Sequence, residues 1–127
     1  MRLLFISLWL TFFLTTTSYA FELREYREFE FNKEIYDGKL VVLIFKSENC
    51  AICDQQAVSI FKLPHILQYK DMKIFAIHFD STNPIAQKFH VEKTGTIIVM
   101  NGQAEAYRSM VALTPDALKA AIDKSLK

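Results

Sequence analysis

The feature that most constrains this chain is a run of six apolar residues, 40–45, that leads into two cysteines. The run reads LVVLIF. A continuous run of this kind is typical of a strand buried on both faces, as in a parallel or mixed sheet covered by helices. Residues 47–49 then read as a loop, and Cys50 and Cys53 stand where helical spacing of apolar residues begins. This order predicts an α/β domain with both cysteines at the start of a helix.

The rest of the sequence after residue 21 alternates between strand and helix patterns. Strands are predicted at 22–31 (with Phe29 and Phe31 on one face), 40–45, 73–79, 96–100 and 104–108, and helices at 32–37, 51–63, 84–90 and from 114–116 onward. The middle strands form a right-handed, parallel βαβ unit, and Asn101-Gly102 predicts an antiparallel hairpin. We therefore expect a central mixed β-sheet flanked by helices on both faces, with a site at the carboxyl ends of its strands.

The two cysteines lie only three residues apart, and this spacing narrows their role. A bridge between them would close a very short loop and remove little entropy from the unfolded chain. Redox exchange and metal binding remain as reasons for the pair. A helix N-terminus stabilises a thiolate, so Cys50 is expected to be exposed, with a lowered pKa, and to act as the nucleophile. Cys53, one turn further on, would be more buried and would resolve the mixed disulfide.

The first twenty residues have the pattern of an export signal. Arg2 provides a positive charge, residues 3–14 are mostly apolar, and Ser18-Tyr19-Ala20 is a small-x-Ala cleavage site. These features predict a signal peptide at 1–20 and one mature domain at 21–127, located in the periplasm or secreted. A retained membrane anchor is the alternative.

Charge and size exclude other classes of protein. The formal net charge of the 127 residues is +1, with no basic stripe, so nucleic acid is not an expected partner. A single small domain without a dimerisation segment is expected to be a monomer.

The motifs resemble those of the thioredoxin superfamily over most of the mature chain. Residues 40–45 followed by 49–53 are similar to its core strand and active-site motif, and 96–102 to its terminal hairpin. Residues 80–84 and 89–91 are similar to the segment before its substrate loop. The resemblance implies a thiol–disulfide oxidoreductase in which Cys50 attacks and Cys53 resolves, with no cofactor. It also implies substrate contacts at Thr94, Gly95 and Met110.

Three positions depart from the family pattern. Asn49 stands where a bulky residue usually precedes the first cysteine, and Ile44 stands where cytoplasmic members carry a buried acid. Gly95 occupies the place of the family's cis-proline. Because a cis bond at a non-proline residue is costly, we expect the Gly95 peptide to be trans or locally mobile, with weaker or less selective docking of substrate beside Thr94.

Two classes of function compete at this stage. The first is an enzyme that exchanges or reduces disulfides in exported client proteins, with a possible membrane electron donor. The second is a non-catalytic thioredoxin-fold module that binds a partner protein or a soft metal ion. Glu48 and Asp54 oppose a thiolate while Lys46 favours it, so the direction of exchange stays open, with a reductant or mild exchanger favoured. None of the histidines, His65, His78 and His90, is placed beside the cysteines by the sequence.

Overall fold

A computed structural model describes residues 23–63, 69 and 71–126 of the chain. Its elements are β1 (Leu23–Glu25), α1 (Glu28–Tyr36), β2 (Leu40–Lys46), α2 (Ala51–Lys62), β3 (Lys73–His78), α3 (Pro84–Lys88), β4 (Thr96–Asn101), β5 (Ala104–Ser109) and α4 (Pro115–Ser125). The predicted order of strands and helices is confirmed. The predicted signal peptide lies outside the described residues. Within those residues, none of the helices is both long and apolar enough to span a bilayer.

The five strands form one mixed sheet in the order β1-β3-β2-β4-β5. Strand β2 pairs in parallel with β3 and antiparallel with β4, so it occupies the centre of the sheet. Strands β4 and β5 form the predicted hairpin, in which Asn101 pairs with Ala104 and Gly102 adopts a positive φ of 58°. Glycine suits this turn because it takes such a φ without a steric penalty.

Each face of the sheet is covered by two helices, because β2 has apolar side chains pointing both ways. On one face, Val42 and Ile44 pack with residues of α2 and α4, including Ile60 and Leu118. On the other face, Val41, Leu43 and Phe45 pack with residues of α1 and α3, namely Phe31 and Ala86. All five central residues of β2 are at most 1% exposed. The fold class predicted from the apolar run is therefore confirmed.

The predicted first strand is wrong over most of its length. Only Leu23–Glu25 is extended, and Glu28–Tyr36 is one helix. Phe31 is 2% exposed and Phe29 is 82% exposed, so they do not share a face. Residues two apart lie on one side of a strand but point in different directions on a helix. Acidic residues in the first turn of α1 favour the helix, because they complement its dipole.

Helix α3 is shorter than its predicted range of 84–90, because the chain turns at His90. Asn83 caps the helix by accepting a hydrogen bond from the Ile85 N–H, with Pro84 in the first turn as expected. At the other end His90 has a φ of 54°, and the Val91 N–H bonds to the Ala86 carbonyl. A left-handed residue followed by such a bond is a common helix stop.

Candidate redox site

The two cysteines lie where β2 delivers the chain to the N-terminus of α2. Asn49 has a φ of 56°, a left-handed conformation that Asn tolerates better than bulky residues do. Cys50 is the N-cap of α2, and its sulfur accepts a hydrogen bond of 3.2 Å from the Cys53 N–H. This is the helix start that the sequence predicted. At this position, an N–H donor and the positive end of the helix dipole both favour the thiolate form of Cys50.

Cys50 and Cys53 form a disulfide whose two sulfurs differ in access. The Cα atoms are 5.2 Å apart. Cys50 is partly exposed, whereas Cys53 is 3% exposed. Since thiol–disulfide exchange requires an external sulfur to reach the disulfide in line, Cys50 is the sulfur available for attack. Ile44 occupies the position of the family's buried acid. It is 1% exposed and pairs in register with Ala76 on β3.

Thr94 approaches the disulfide from the loop before β4. Its Oγ1 lies 3.4 Å from the sulfur of Cys53 and 3.7 Å from the sulfur of Cys50. The Ser47 hydroxyl donates a hydrogen bond of 2.9 Å to the same oxygen. The sequence placed Thr94 opposite the cysteines through the resemblance but assigned only its backbone. Sequence analysis did not predict that the Thr94 hydroxyl contacts both sulfurs or that Ser47 bonds this hydroxyl, because neither contact follows from a motif.

Gly95 is held on both sides of its Cα atom. Its φ is +81°, its N–H donates to the Phe45 carbonyl at 2.9 Å, and its carbonyl accepts from Gln56 Nε2 at 2.6 Å. No cis peptide occurs in the described part of the chain, so the expected trans peptide is found. The alternative expectation, local mobility at Gly95, stays a prediction, although both backbone polar groups of this residue are hydrogen-bonded. A Cβ atom at this position would stand 3.3 Å from Ile52 Cγ2.

Gln56 joins the two loops that border the disulfide. The side chain is 1% exposed, and its Nε2 donates to Gly95 and, at 3.2 Å, to the carbonyl of Val111. Val111 and its neighbour Met110 are 58% and 46% exposed, and Ile52 between the cysteines is 45% exposed. We call Ile52, Thr94, Gly95, Met110 and Val111 the groove residues, or the groove, because they lie on α2 and on the two loops that Gln56 bonds to it. Sequence analysis did not predict the role of Gln56, because a polar residue in an amphipathic helix does not indicate which loop it bonds.

A cleft of about 470 Å³ reaches the disulfide from the side of β3 and β1. Both cysteines line it, together with Glu25, Lys46, Ser47, Glu48, Asn49, Asp54, Ala76 and His78. His78 therefore does lie at the rim of the redox site, although the sequence could not place it there. Among the residues described, no group of three or more His, Cys, Asp or Glu side chains is arranged as a metal site.

Comparison with known proteins agrees with this geometry. The thioredoxin family model matches residues 22–124. Similar solved structures include Trxlp from Edwardsiella tarda, at 23% identity and a TM-score of 0.72, covering 80% of this chain and 98% of that one. A malarial protein is 27% identical, with a TM-score of 0.59 and coverage of 69% and 98%. Mitochondrial thioredoxin 3 of Saccharomyces cerevisiae is 21% identical, with a TM-score of 0.65 and coverage of 85% and 99%. No curated protein matches the sequence significantly.

The chain belongs to the thioredoxin family. The family match and the Cys50–Cys53 pair at the start of α2 together support a thiol–disulfide oxidoreductase activity in general terms. The fold positions the pair, and the cleft opens onto both cysteines.

Proposed function

We propose that this protein exchanges or reduces disulfides in exported client proteins through the Cys50–Cys53 pair. The observation that carries the proposal is the unequal access to the two sulfurs at a helix N-terminus, with Cys50 partly exposed and Cys53 buried. An exposed sulfur can meet a large client, and a buried one is protected from every disulfide except the one formed on its neighbour.

The chemistry proceeds in two exchange steps. In the dithiol form, the Cys50 thiolate attacks a client disulfide, a bond forms between Cys50 and one client sulfur, and the other client sulfur leaves as a thiolate. Cys53 then loses its proton and attacks Cys50. The Cys50–Cys53 disulfide forms, and the second client sulfur leaves and takes up a proton. The pair has lost two electrons and the client has gained them, so a reductant must renew the dithiol form, for which a membrane electron donor is a candidate.

The groove supplies the docking surface for the client segment around its disulfide. Ile52, Met110 and Val111 offer exposed apolar area, and Thr94 lies beside both sulfurs. We infer that an extended client segment lies beside Thr94 and pairs with its main chain, with an apolar side chain against Met110. Met110→Ala is then expected to slow exchange with a protein disulfide more than exchange with a small one.

Trapping tests the catalytic assignment. Cys53→Ser is expected to accumulate mixed disulfides with exported proteins, because Cys50 still attacks but nothing resolves the product. Cys50→Ser is the matched control and is expected to trap none. If both variants trap equally, Cys50 is not the nucleophile. If the wild-type pair does not equilibrate with glutathione, the catalytic function fails and a non-catalytic binding module replaces it.

Export is tested separately by the N-terminus of the protein recovered from cell fractions. Cleavage after Ala20 leaves Phe21 as the first residue in the periplasmic or secreted fraction, which mass spectrometry identifies. A protein that keeps Met1 and stays with the membrane contradicts cleavage and supports a retained anchor. In the exported fraction, the reduction potential distinguishes a reductant near −270 mV from an oxidant near −120 mV, about the values of thioredoxin and of a strong periplasmic oxidant.

A further inference from the structure

The cleft beside the disulfide lies between the carboxyl ends of three strands and the start of α2. The parallel register sets Glu25, Ala76 and Ile44 side by side on β1, β3 and β2. Two residues further on, the register sets Lys46 beside His78. In-register neighbours point to the same face of a sheet, which here is the face that α2 covers. Ala76 has the smallest side chain of its row, which leaves room for the cleft that it lines.

The volume of the cleft suits a small molecule held against the disulfide. Ligand pockets usually enclose about 300–1,000 Å³, and this cleft has about 470 Å³. Its lining includes Cys50 and Cys53, the two residues of the redox pair. None of the groove residues lines it, so a ligand in the cleft does not need the surface proposed for protein clients.

The charged side chains of the cleft are available to a ligand. Glu25, Glu48 and Asp54 are carboxylates, and Lys46 is an ammonium. All four are exposed, and none forms an ion pair with another residue in the described part of the chain. The lining therefore has a net charge of −2 when His78 is neutral. A cleft lined mainly by one sign of charge raises the local concentration of ligands of the opposite sign.

We propose that the cleft binds low-molecular-weight disulfides that carry ammonium groups and presents them to the Cys50 thiolate. The carboxylates of the lining attract the ammonium groups, and the ligand sulfurs lie against the redox pair. This inference adds a small substrate to the protein clients of the proposed function, and it rests on that function in taking disulfide exchange as the reaction.

The reaction starts from the dithiol form of the pair. The Cys50 thiolate attacks one ligand sulfur and bonds to it, and the other half of the ligand leaves as a thiolate that takes up a proton. Cys53 then loses its proton and attacks Cys50. The Cys50–Cys53 disulfide forms, and the second half of the ligand leaves and takes up that proton. One turnover removes two electrons from the pair and yields two aminothiols.

Three small disulfides with the same two-carbon arms test the preference for charge. They are cystamine, bis(2-hydroxyethyl) disulfide and 3,3′-dithiodipropionate, which end in an ammonium, a hydroxyl and a carboxylate. Single-turnover rates of the chemically reduced protein are divided by those of dithiothreitol, which removes differences in intrinsic reactivity. Cystamine is expected to react about tenfold faster than the neutral disulfide, and the carboxylate more slowly. The preference is expected to shrink in about 1 M salt, where charges are screened beyond about 3 Å.

Glu25→Gln assigns the preference to the cleft, because Glu25 lines it from the edge strand and not from the helix that carries the cysteines. The ratio of the cystamine rate to the neutral rate is expected to fall about twofold to threefold, the effect of one exposed charge pair. Lys46→Gln removes the opposing charge and is expected to raise the ratio. Asp71→Asn is the matched control. It removes an exposed carboxylate before the start of β3, at the opposite edge of the sheet, and is expected to leave the ratio unchanged.

Binding is measured without any exchange by hexane-1,6-diamine, which has the length of cystamine and no sulfur. Titrated into the disulfide form, the diamine is expected to shift the amide NMR signals of residues that line the cleft, whereas hexane-1,6-diol is not. Ala76→Val adds two methyl groups inside the cleft and is expected to weaken the shifts.

The proposal is overturned if cystamine has no advantage over the neutral disulfide, or if Asp71→Asn lowers that advantage as much as Glu25→Gln. It is also overturned if the diamine shifts no signal at the cleft or the diol shifts the same signals equally. The proposed function can fail separately. Preferential reduction of cystamine by a protein that traps no exported protein supports the cleft and contradicts protein clients. Trapping of clients without a preference for cystamine contradicts the cleft alone.

Discussion

At the scale of single residues, the loop around Gly95 shows how hydrogen bonds can hold a segment that relatives hold with a proline. Proline fixes φ near −65° and has no N–H. Gly95 instead has a φ of +81° and uses its N–H to bond the Phe45 carbonyl. A proline can neither adopt the φ of Gly95 nor donate its hydrogen bond. A proline introduced here therefore cannot simply restore the family's loop.

Gly95→Pro is expected to lower the free energy of unfolding by about 2 kcal/mol or more, because it leaves the Phe45 carbonyl without its donor and forces a different φ. Gly95→Ala is the matched variant. It keeps the N–H and suffers only from the positive φ and the contact with Ile52, so it is expected to lose less. Denaturant unfolding of both variants measures the difference. If the two variants lose equal stability, the bond from Gly95 to Phe45 contributes nothing.

The rate of exchange in Gly95→Pro answers a different question. A slower rate, measured where the variant is fully folded, would mean that the glycine itself suits the docking of clients. An unchanged rate would contradict the expectation that glycine in place of proline weakens docking.

At the scale of elements, α2 does more than present the cysteines. Through Gln56 it bonds the loop before β4 and the loop after β5, and Ser59 bonds the carbonyl of Leu113 in the latter. Both walls of the groove are therefore tied to the helix that carries the disulfide.

Gln56→Met replaces the amide by an apolar chain of similar length and removes both bonds. Exchange with a protein disulfide is expected to slow about fivefold, the effect of about 1 kcal/mol, because the groove no longer holds the client in one geometry. Exchange with a small disulfide is expected to slow less, and the reduction potential to stay constant. Gln55→Met, at an exposed neighbouring position, is the control. Equal slowing with both substrates would show that Gln56 acts on the sulfurs and not on the groove.

The hairpin is joined to α3 by Arg108, which donates to the carbonyls of Phe89 and His90 and pairs with Glu105. The hydrogen bond from Arg108 lowers the pKa of the Glu105 carboxyl below its usual value of 4.5. Because the folded state binds the proton more weakly than the unfolded state, this pair stabilises the fold above the unfolded pKa. Its contribution is lost as the pH falls through the lower, folded pKa.

Glu105→Gln is therefore expected to cost less than about 1 kcal/mol at neutral pH, since the pair is partly exposed and screened by solvent. The difference between wild type and variant is expected to shrink as the pH falls below about 4.5 and to vanish in stronger acid. Urea unfolding across that range measures it. A difference that does not change with pH would contradict the assigned pair.

At the scale of the whole molecule, stability depends on a sheet whose central strand has no exposed face. Val42 and Ile44 contribute to one core, and Val41, Leu43 and Phe45 to the other. A polar group at any of these positions lacks water and, at Ile44, faces an alanine on the next strand. Because β2 contributes side chains to both cores, damage to β2 is felt on both faces.

Ile44→Asp would place a carboxyl where cytoplasmic relatives carry one, without the polar surroundings that such a group needs. The free energy of unfolding is expected to fall by about 3 kcal/mol or more at neutral pH. Burial raises the pKa of such a carboxyl, so the loss is expected to be smaller in acid, where the group is neutral in both states. Ile44→Val is the control and is expected to cost about 0.5–1.5 kcal/mol. A loss independent of pH would mean that the carboxyl reaches water.

The amino-acid sequence was enough to predict the order of the elements, the buried central strand and the position of Cys50 at a helix start. These depend on local patterns: a continuous apolar run, proline and capping residues, and the Asn101-Gly102 turn. A short local pattern also gave one wrong prediction. The alternation of Phe29 and Phe31 indicated a strand, but both residues lie in α1. The resemblance to thioredoxins added which loop faces the cysteines, and it correctly pointed to Thr94 and Gly95 as that loop.

The polar groups that meet around the disulfide could be identified only from the packing of distant segments. The Thr94 hydroxyl reaches the sulfurs across 41 and 44 positions of sequence, and Gln56 reaches Gly95 across 39. Such contacts depend on how β2, α2 and the loop before β4 pack, and neither periodicity nor spacing carries that information. The same reason explains His78, whose place at the cleft follows from the register of β3 against β2. Hydrogen bonds between distant segments depend on the sheet that brings those segments together.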